Sequence, residues 1–145
     1  MESSHLQGVG FVGLAGAPNV GKSTLVNRLV GQKISITSNR PNTTRQKVCG
    51  IYTDAILQAV FVDLPGLHEP GDRLNEALMD NARAGLKGCD VIWHVRDARY
   101  AAEAPDGFTA EMIRENALPT WLVWNKIDLA RGGAGPSGHE ALPYE

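Results

Sequence analysis

The sequence predicts an α/β fold: a mostly parallel sheet, helices on both faces, and one antiparallel hairpin strand. Three observations lead there. Apolar runs of strand length alternate with segments of helical periodicity. The stretch GAPNVGKST at residues 16–24 stands between one of each. Two apolar runs, Val48–Tyr52 and Ile56–Val62, are joined only by Thr53-Asp54-Ala55, enough for a hairpin but too short for a parallel crossover.

Each element has its own justification. Val9, Phe11, Val12, Leu14 and Ala15, interspersed with Gly, suit a buried parallel strand whose end passes close to a ligand. Leu25, Val26, Leu29 and Val30 form one face of a helix that Gly31 stops. Residues 32–47, QKISITSNRPNTTRQK, are polar, β-branched and interrupted by Pro41, and read as a long exposed loop of the kind that carries function. The two hairpin strands follow. Pro65, Gly66, Pro70 and Gly71 then break the chain. From Arg73 to Leu86, Leu74, Ala77, Leu78, Ala82 and Leu86 recur at helical spacing. Val91–Val95 is a strand, Asp106–Asn116 a helix, and Trp121–Trp124 a strand ending at Asn125. The order is β-α-β-β-α-β-α-β, without repeats. Trp93, Trp121 and Trp124 fall on strands and are expected in the core. Residues 1–7 are expected to form an N-terminal tail, 8–130 the globular domain, and 131–145 a flexible Gly/Pro-rich tail.

Composition excludes more than it selects. The 145 residues are 43 % hydrophobic and 21 % charged, enough for one domain with its own core. A net charge of −2 favours no partner in bulk, but its distribution does. Between Ser3 and Thr53 there is no acid, against the cations Lys22, Arg28, Lys33, Arg40, Arg45 and Lys47. That basic part suits a polyanionic ligand. Export is rejected: the start, Met1-Glu2, has no basic region, Gly and Pro18 interrupt the uncharged run, and no segment reads as transmembrane. Cys49 and Cys89 lie far from any metal spacing and read as free, mostly buried thiols.

The motifs carry the chemistry. Gly16, Ala17, Pro18, Asn19, Val20, Gly21, Lys22, Ser23 and Thr24 contain Gly-x4-Gly-Lys-Ser, the phosphate-binding loop. Its N–H groups and the following helix N-terminus converge on phosphate oxygens. Lys22 is expected on the β- and γ-phosphates and the Ser23 hydroxyl on Mg²⁺. Asp63-Leu64-Pro65-Gly66 ends an apolar strand, where Asp63 can hold Mg²⁺ through water and the Gly66 N–H can sense a γ-phosphate. Asn125-Lys126-Ile127-Asp128 ends another strand, and its residue types suit guanine. Asp128 can accept from N1–H and the 2-amino group, whereas adenine would leave the carboxylate unpaired. Asn125 can bond the other edge of the base or tie the loops together. The Lys126 stem can cover the ring face. In the exposed loop, Thr43 or Thr44 could close on Mg²⁺ and γ-phosphate and be released after hydrolysis.

Read in order, GAPNVGKST, ISITSNRPNTTR, DLPGLH and NKID resemble the Era family of bacterial GTPases, from about Gly8 to Asp128. The resemblance implies a P-loop NTPase fold of the small G-protein type. It implies nucleotide contacts at Gly16 to Ser23, Asp63 to Leu67 and Asn125 to Asp128, with Mg²⁺ on Ser23 and Thr44, and it selects Thr44 over Thr43. GTP and GDP are the implied ligands. Small-subunit ribosomal RNA and the small ribosomal subunit are implied partners of full-length members, in the cytoplasm and in part at the inner face of the membrane. Those members continue with another strand, a Ser-Ala motif at the guanine, a last helix and an RNA-holding KH domain, so the chain is expected to be a G domain incomplete at its C-terminus.

Catalysis is expected to be slow. Leu67 stands where many GTPases place a water-orienting Gln, and Leu cannot orient water. His68 reads as a solvated loop residue rather than a base. Hydrolysis then rests on Lys22, Thr44, Mg²⁺ and backbone donors. The resemblance also lets Asn19 help hold K⁺ beside the phosphates. The other reading of Asn19 is a side chain that bonds backbone within its own loop. Three further functional classes stand beside a GTP-hydrolysing switch: a nucleotide-gated rRNA-binding module with incidental hydrolysis, a fragment with little activity, and an ATP-using kinase or ATPase, against which NKID argues.

Overall fold

A computed structural model describes residues 8–31, 47–64, 73–101, 103 and 107–130. The elements run β1 (Gly8–Ala15), α1 (Lys22–Val30), β2 (Lys47–Thr53), β3 (Leu57–Asp63), α2 (Arg73–Leu86), β4 (Val91–Asp97), α3 (Gly107–Asn116) and β5 (Thr120–Asn125). Short 3-10 turns follow β4 at Ala98–Tyr100 and β5 at Ile127–Leu129. The predicted order of strands and helices holds throughout.

The five strands lie in the order β2-β3-β1-β4-β5. β1 pairs in parallel with both β3 and β4, β4 pairs in parallel with β5, and only β2 with β3 is antiparallel. β1 is central because its apolar residues bury on both faces: Val12 and Leu14 on one, Ala15 on the other. On the first face Val26 and Val30 of α1 pack over Val12, Leu14 and Phe61, with Cys49 and Trp93 at the margin. On the second, Ala82 and Leu86 of α2 and Met112 and Ile113 of α3 meet Ala15, Leu64 and Ile92. Burying side chains of this size stabilises by roughly 1.5–3 kcal/mol each, and helices are thereby required on both faces.

Two expectations need correction. Ile56 belongs to the hairpin turn, not to β3: the Asp54 carboxylate accepts from the Ile56 and Leu57 N–H groups, both at 2.8 Å, and this local bond competes with the ladder. Trp121 is not core. It is 63 % exposed and stacks on Trp93 with ring centroids 6.4 Å apart. The reason is position. β5 is an edge strand among the described residues, and the cluster under α1 reaches Trp93 but not beyond it. Cys49 and Cys89 are thiols outside any disulfide, with Cys49 half-buried and Cys89 buried. Burial pushes the Cys89 thiol up to about 11, which keeps it protonated and inert at neutral pH.

Candidate nucleotide-binding site

The parallel strands β1, β3, β4 and β5 end on the same side of the sheet, and the quoted motifs begin where they end. After β1 the chain turns through residues 16–21 before α1 starts at Lys22. Gly16 has φ 151° and Gly21 φ 93°. A β-carbon on Gly16 would strike the Val95 carbonyl oxygen, and one on Gly21 would strike the Asn125 amide nitrogen. Both positions therefore exclude a side chain by conformation and by space. Asn19 is also left-handed, at φ 64°, a region Asn tolerates better than most residues. No side chain caps the start of α1, so its first N–H groups are left for a ligand.

Lys22 is buried, and its ammonium donates a 2.8 Å hydrogen bond to the Gly16 carbonyl. Desolvation lowers its pKa, opposed by the nearby Asp63 and Cys49. A desolvated ammonium curled inside a glycine-rich loop gains a counter-charge when a phosphate arrives. Ser23 and Thr24 are exposed on the first turn of α1. Asp63 closes β3 opposite Leu14 of β1. Pro18, Asn19, Gly21, Lys22, Ser23, Thr24, Asp63 and Lys126 line one cleft of about 550 Å³. Within it the Ser23 hydroxyl and the Asp63 carboxylate offer hard oxygen ligands. Among the described residues no three His, Cys, Asp or Glu side chains gather as a metal site. Two protein oxygens supplemented by phosphate and water is the donor set Mg²⁺ favours.

The NKID segment reaches the loop from the far end of the chain. The Asn125 side-chain amide donates to the Val20 carbonyl at 2.9 Å, and Lys126 Nζ donates to the Asn19 carbonyl at 2.7 Å. Of the two roles expected for Asn125, tying the loops together is the one present here. Lys126 takes a left-handed backbone, φ 58°, which turns the chain into the 3-10 turn carrying an exposed Asp128. Ala17 is exposed in the loop and Ile127 is exposed beside Asp128. Val20 is buried, and Leu64 is 2 % exposed within the α2–α3 core. The Leu64 side chain thus packs inward, and its N–H bonds the Leu14 carbonyl. Thr43, Thr44, Pro65, Gly66, Leu67 and His68 lie outside the described residues.

Sequence reasoning missed two residues beside this site. Asp97 ends β4 and is only 7 % exposed. Arg99 grips it with Nε at 3.0 Å from Oδ1 and Nη2 at 2.6 Å from Oδ2, and the Arg99 N–H adds a bond to Oδ1 at 3.0 Å. Lys126 Nζ stands 3.2 Å from Asp97 Oδ2. Led by Arg99, these donors hold the Asp97 carboxyl well below the usual carboxylate range. The available signal was an acid at the carboxyl end of a parallel strand, the end where open α/β sheets bind ligands.

A family model described as 50S ribosome-binding GTPase matches residues 11–126. The chain belongs to this family. The GTPase Era of Lactobacillus delbrueckii subsp. bulgaricus is 45 % identical over 119 residues, 82 % of this chain and 39 % of that protein. The GTPase Era of Nostoc sp. is 46 % identical over 119 residues, 82 % of this chain and 37 % of that protein. Among solved structures, Era in complex with MgGDPNP and nucleotides 1506–1542 of 16S ribosomal RNA aligns with TM-score 0.66 and 36 % identity, over 89 % of this chain and 44 % of that one. A variant of Aquifex aeolicus Era bound to GDP.AlF4⁻ aligns with TM-score 0.64 and 38 % identity, over 83 % of this chain and 42 % of that one. The chain thus carries an Era-like P-loop GTPase domain and spans about two fifths of the length of these curated relatives. The expected resemblance and fold class both stand.

Proposed function

We propose that this domain binds guanine nucleotides and hydrolyses GTP to GDP and phosphate. One observation carries the reading: Asn125 and Lys126 bond the carbonyls of Val20 and Asn19, which brings a guanine-type motif onto a phosphate-type loop. In this reading the loop amides and Lys22 bind the β- and γ-phosphates, Ser23 and Asp63 hold Mg²⁺, and Asp128 reads the guanine edge. Mg²⁺ supplies charge neutralisation between the β- and γ-phosphates when bound. The solved Era complex with MgGDPNP supports its place here. Thr44 is assigned to the same metal on the resemblance alone. With Leu67 unable to orient water, turnover is slow and depends on Lys22. Asn19, on the cleft wall, is assigned to K⁺ through its neutral side-chain oxygen.

The wider role follows the relatives. Era is solved with a 16S ribosomal RNA segment, and on that likeness we assign this protein to small-subunit assembly in the cytoplasm. Peripheral contact with the inner membrane rests on the family resemblance. Among the described residues no helix is long and apolar enough to cross a membrane. No residue of this chain is assigned to RNA. Phosphate release in Mg²⁺ tests the catalytic reading: GTP should be turned over, ATP should not, and Lys22→Ala should stop the reaction. Equal turnover of ATP, or an active Lys22→Ala variant, contradicts it.

A further inference from the structure

We propose that Asp97 is a positioning residue of the nucleotide site, holding Lys126 where its ammonium ties down the phosphate loop. The proposal rests on the nucleotide-binding reading above. The Lys126 ammonium has two partners of different kinds: the Asn19 carbonyl at 2.7 Å and Asp97 Oδ2 at 3.2 Å. The first is in the loop; the second is at the end of β4, on the rigid sheet. Asp97 therefore connects β4 to the loop through one side chain.

The energetics favour a fixed geometry. A carboxylate with 7 % exposure is costly to desolvate unless its oxygens are satisfied. Arg99 meets both oxygens from one flank, which fixes the plane of the carboxylate and leaves Oδ2 directed at Lys126 as well. A free lysine stem samples many rotamers. Pinned by Asp97, Lys126 presents its ammonium to a single carbonyl, that of Asn19. Asn19 is itself in a left-handed conformation that its own chain does not prefer. Asp97 touches neither base nor phosphate in this arrangement. It acts through Lys126.

The test is a double-mutant cycle read by release of a fluorescent GDP analogue in Mg²⁺. Asp97→Asn removes the charge at constant shape and should speed release about tenfold, the scale of a charge-assisted hydrogen bond. Lys126→Met should also speed release. Because Asp97 works through Lys126, adding Asp97→Asn to Lys126→Met should speed it by less than about twofold more. Full additivity would mean a general structural role and overturns the proposal, as would unchanged release in Asp97→Asn. Should Asp97→Asn fail to fold, Asp97→Glu, which displaces the carboxyl by one methylene, takes its place in the cycle. A nucleotide-free readout separates this idea from the GTPase reading. The Val20 amide resonance, adjacent to the Asn19 carbonyl, should shift in Asp97→Asn. A shift without any GDP binding by the wild type would sink the GTPase reading and keep the tether; no shift would sink the tether.

Discussion

The Asn125 side-chain amide donates a 2.9 Å hydrogen bond to the Val20 carbonyl, joining segments 105 residues apart. In the proposed reading, this bond fixes the base end of the site relative to its phosphate end. Asn125→Ala leaves the Val20 carbonyl without that donor, at a cost of roughly 1–3 kcal/mol if it stays dry. The expected outcome is GDP affinity about tenfold weaker or more, measured by fluorescence titration, with far-UV circular dichroism unchanged.

Gly21 is predicted to tolerate no side chain without displacing its neighbours. Its φ of 93° is strained for any L side chain, and its α-hydrogen side faces the Asn125 amide. Gly21→Ala meets both obstacles together, so the loop and Asn125 must move apart. Backbone strain alone costs about 1–3 kcal/mol. The melting temperature without nucleotide should fall by several degrees, and GDP should restore little of it. Differential scanning calorimetry with and without GDP checks both.

Lys22 is predicted to stabilise the ligand and not the fold. Its pKa is lowered in the folded protein, by burial first. Between that lowered value and the ordinary lysine value of about 10.4, the unfolded chain holds more protons than the folded one. Nucleotide-free stability should therefore rise with pH through that window, and below it the charged group is a standing cost. Lys22→Met removes the cost. Its apo melting temperature near neutral pH should equal or exceed that of the wild type, and the rise with pH should vanish. Triphosphate affinity should drop at least about tenfold, the scale of one lost charge-assisted bond. Denaturation curves across pH, paired with a GTP titration, measure all three.

Asn19 is predicted to make turnover depend on the monovalent ion. Its main-chain carbonyl is engaged by Lys126, while the residue lines the cleft. Phosphate release should be faster in KCl than in NaCl at equal ionic strength, and Asn19→Ala should lose the difference. Equal rates in both salts for the wild type exclude the K⁺ assignment.

The fold was legible wherever local chemistry repeats. The helical spacing of Leu74, Ala77, Leu78, Ala82 and Leu86 gave α2 with its bounds, and the short Thr53-Asp54-Ala55 link gave the one antiparallel pair. Ile56 was misplaced because a side chain, Asp54, reorganised the turn, and strand periodicity carries no trace of that. Trp121 was misplaced because an apolar strand residue buries only if a neighbour covers it, and cover is a tertiary property. The motifs assigned to phosphate and guanine were proposed from their residue types, and the structure brings the loop after β1 and the segment after β5 together. The Asp97–Arg99–Lys126 network was not legible, since it depends on which strand ends are adjacent, a consequence of the order β1-β4-β5 rather than of any spacing.

The most direct test of the central claim is isothermal titration calorimetry of this chain in Mg²⁺ with GDP, ADP and XDP, for the wild type and Asp128→Asn. Asp128 is exposed beside the Asn125 and Lys126 anchors, where its carboxylate can meet a guanine edge. The wild type should bind GDP at one site and show no detectable heat with ADP. Asp128→Asn should lose GDP affinity and gain XDP affinity, because the amide donor faces the 2-oxo group of xanthine. Wild-type binding of ADP as tight as GDP, or an Asp128→Asn variant that still prefers GDP, would contradict the account.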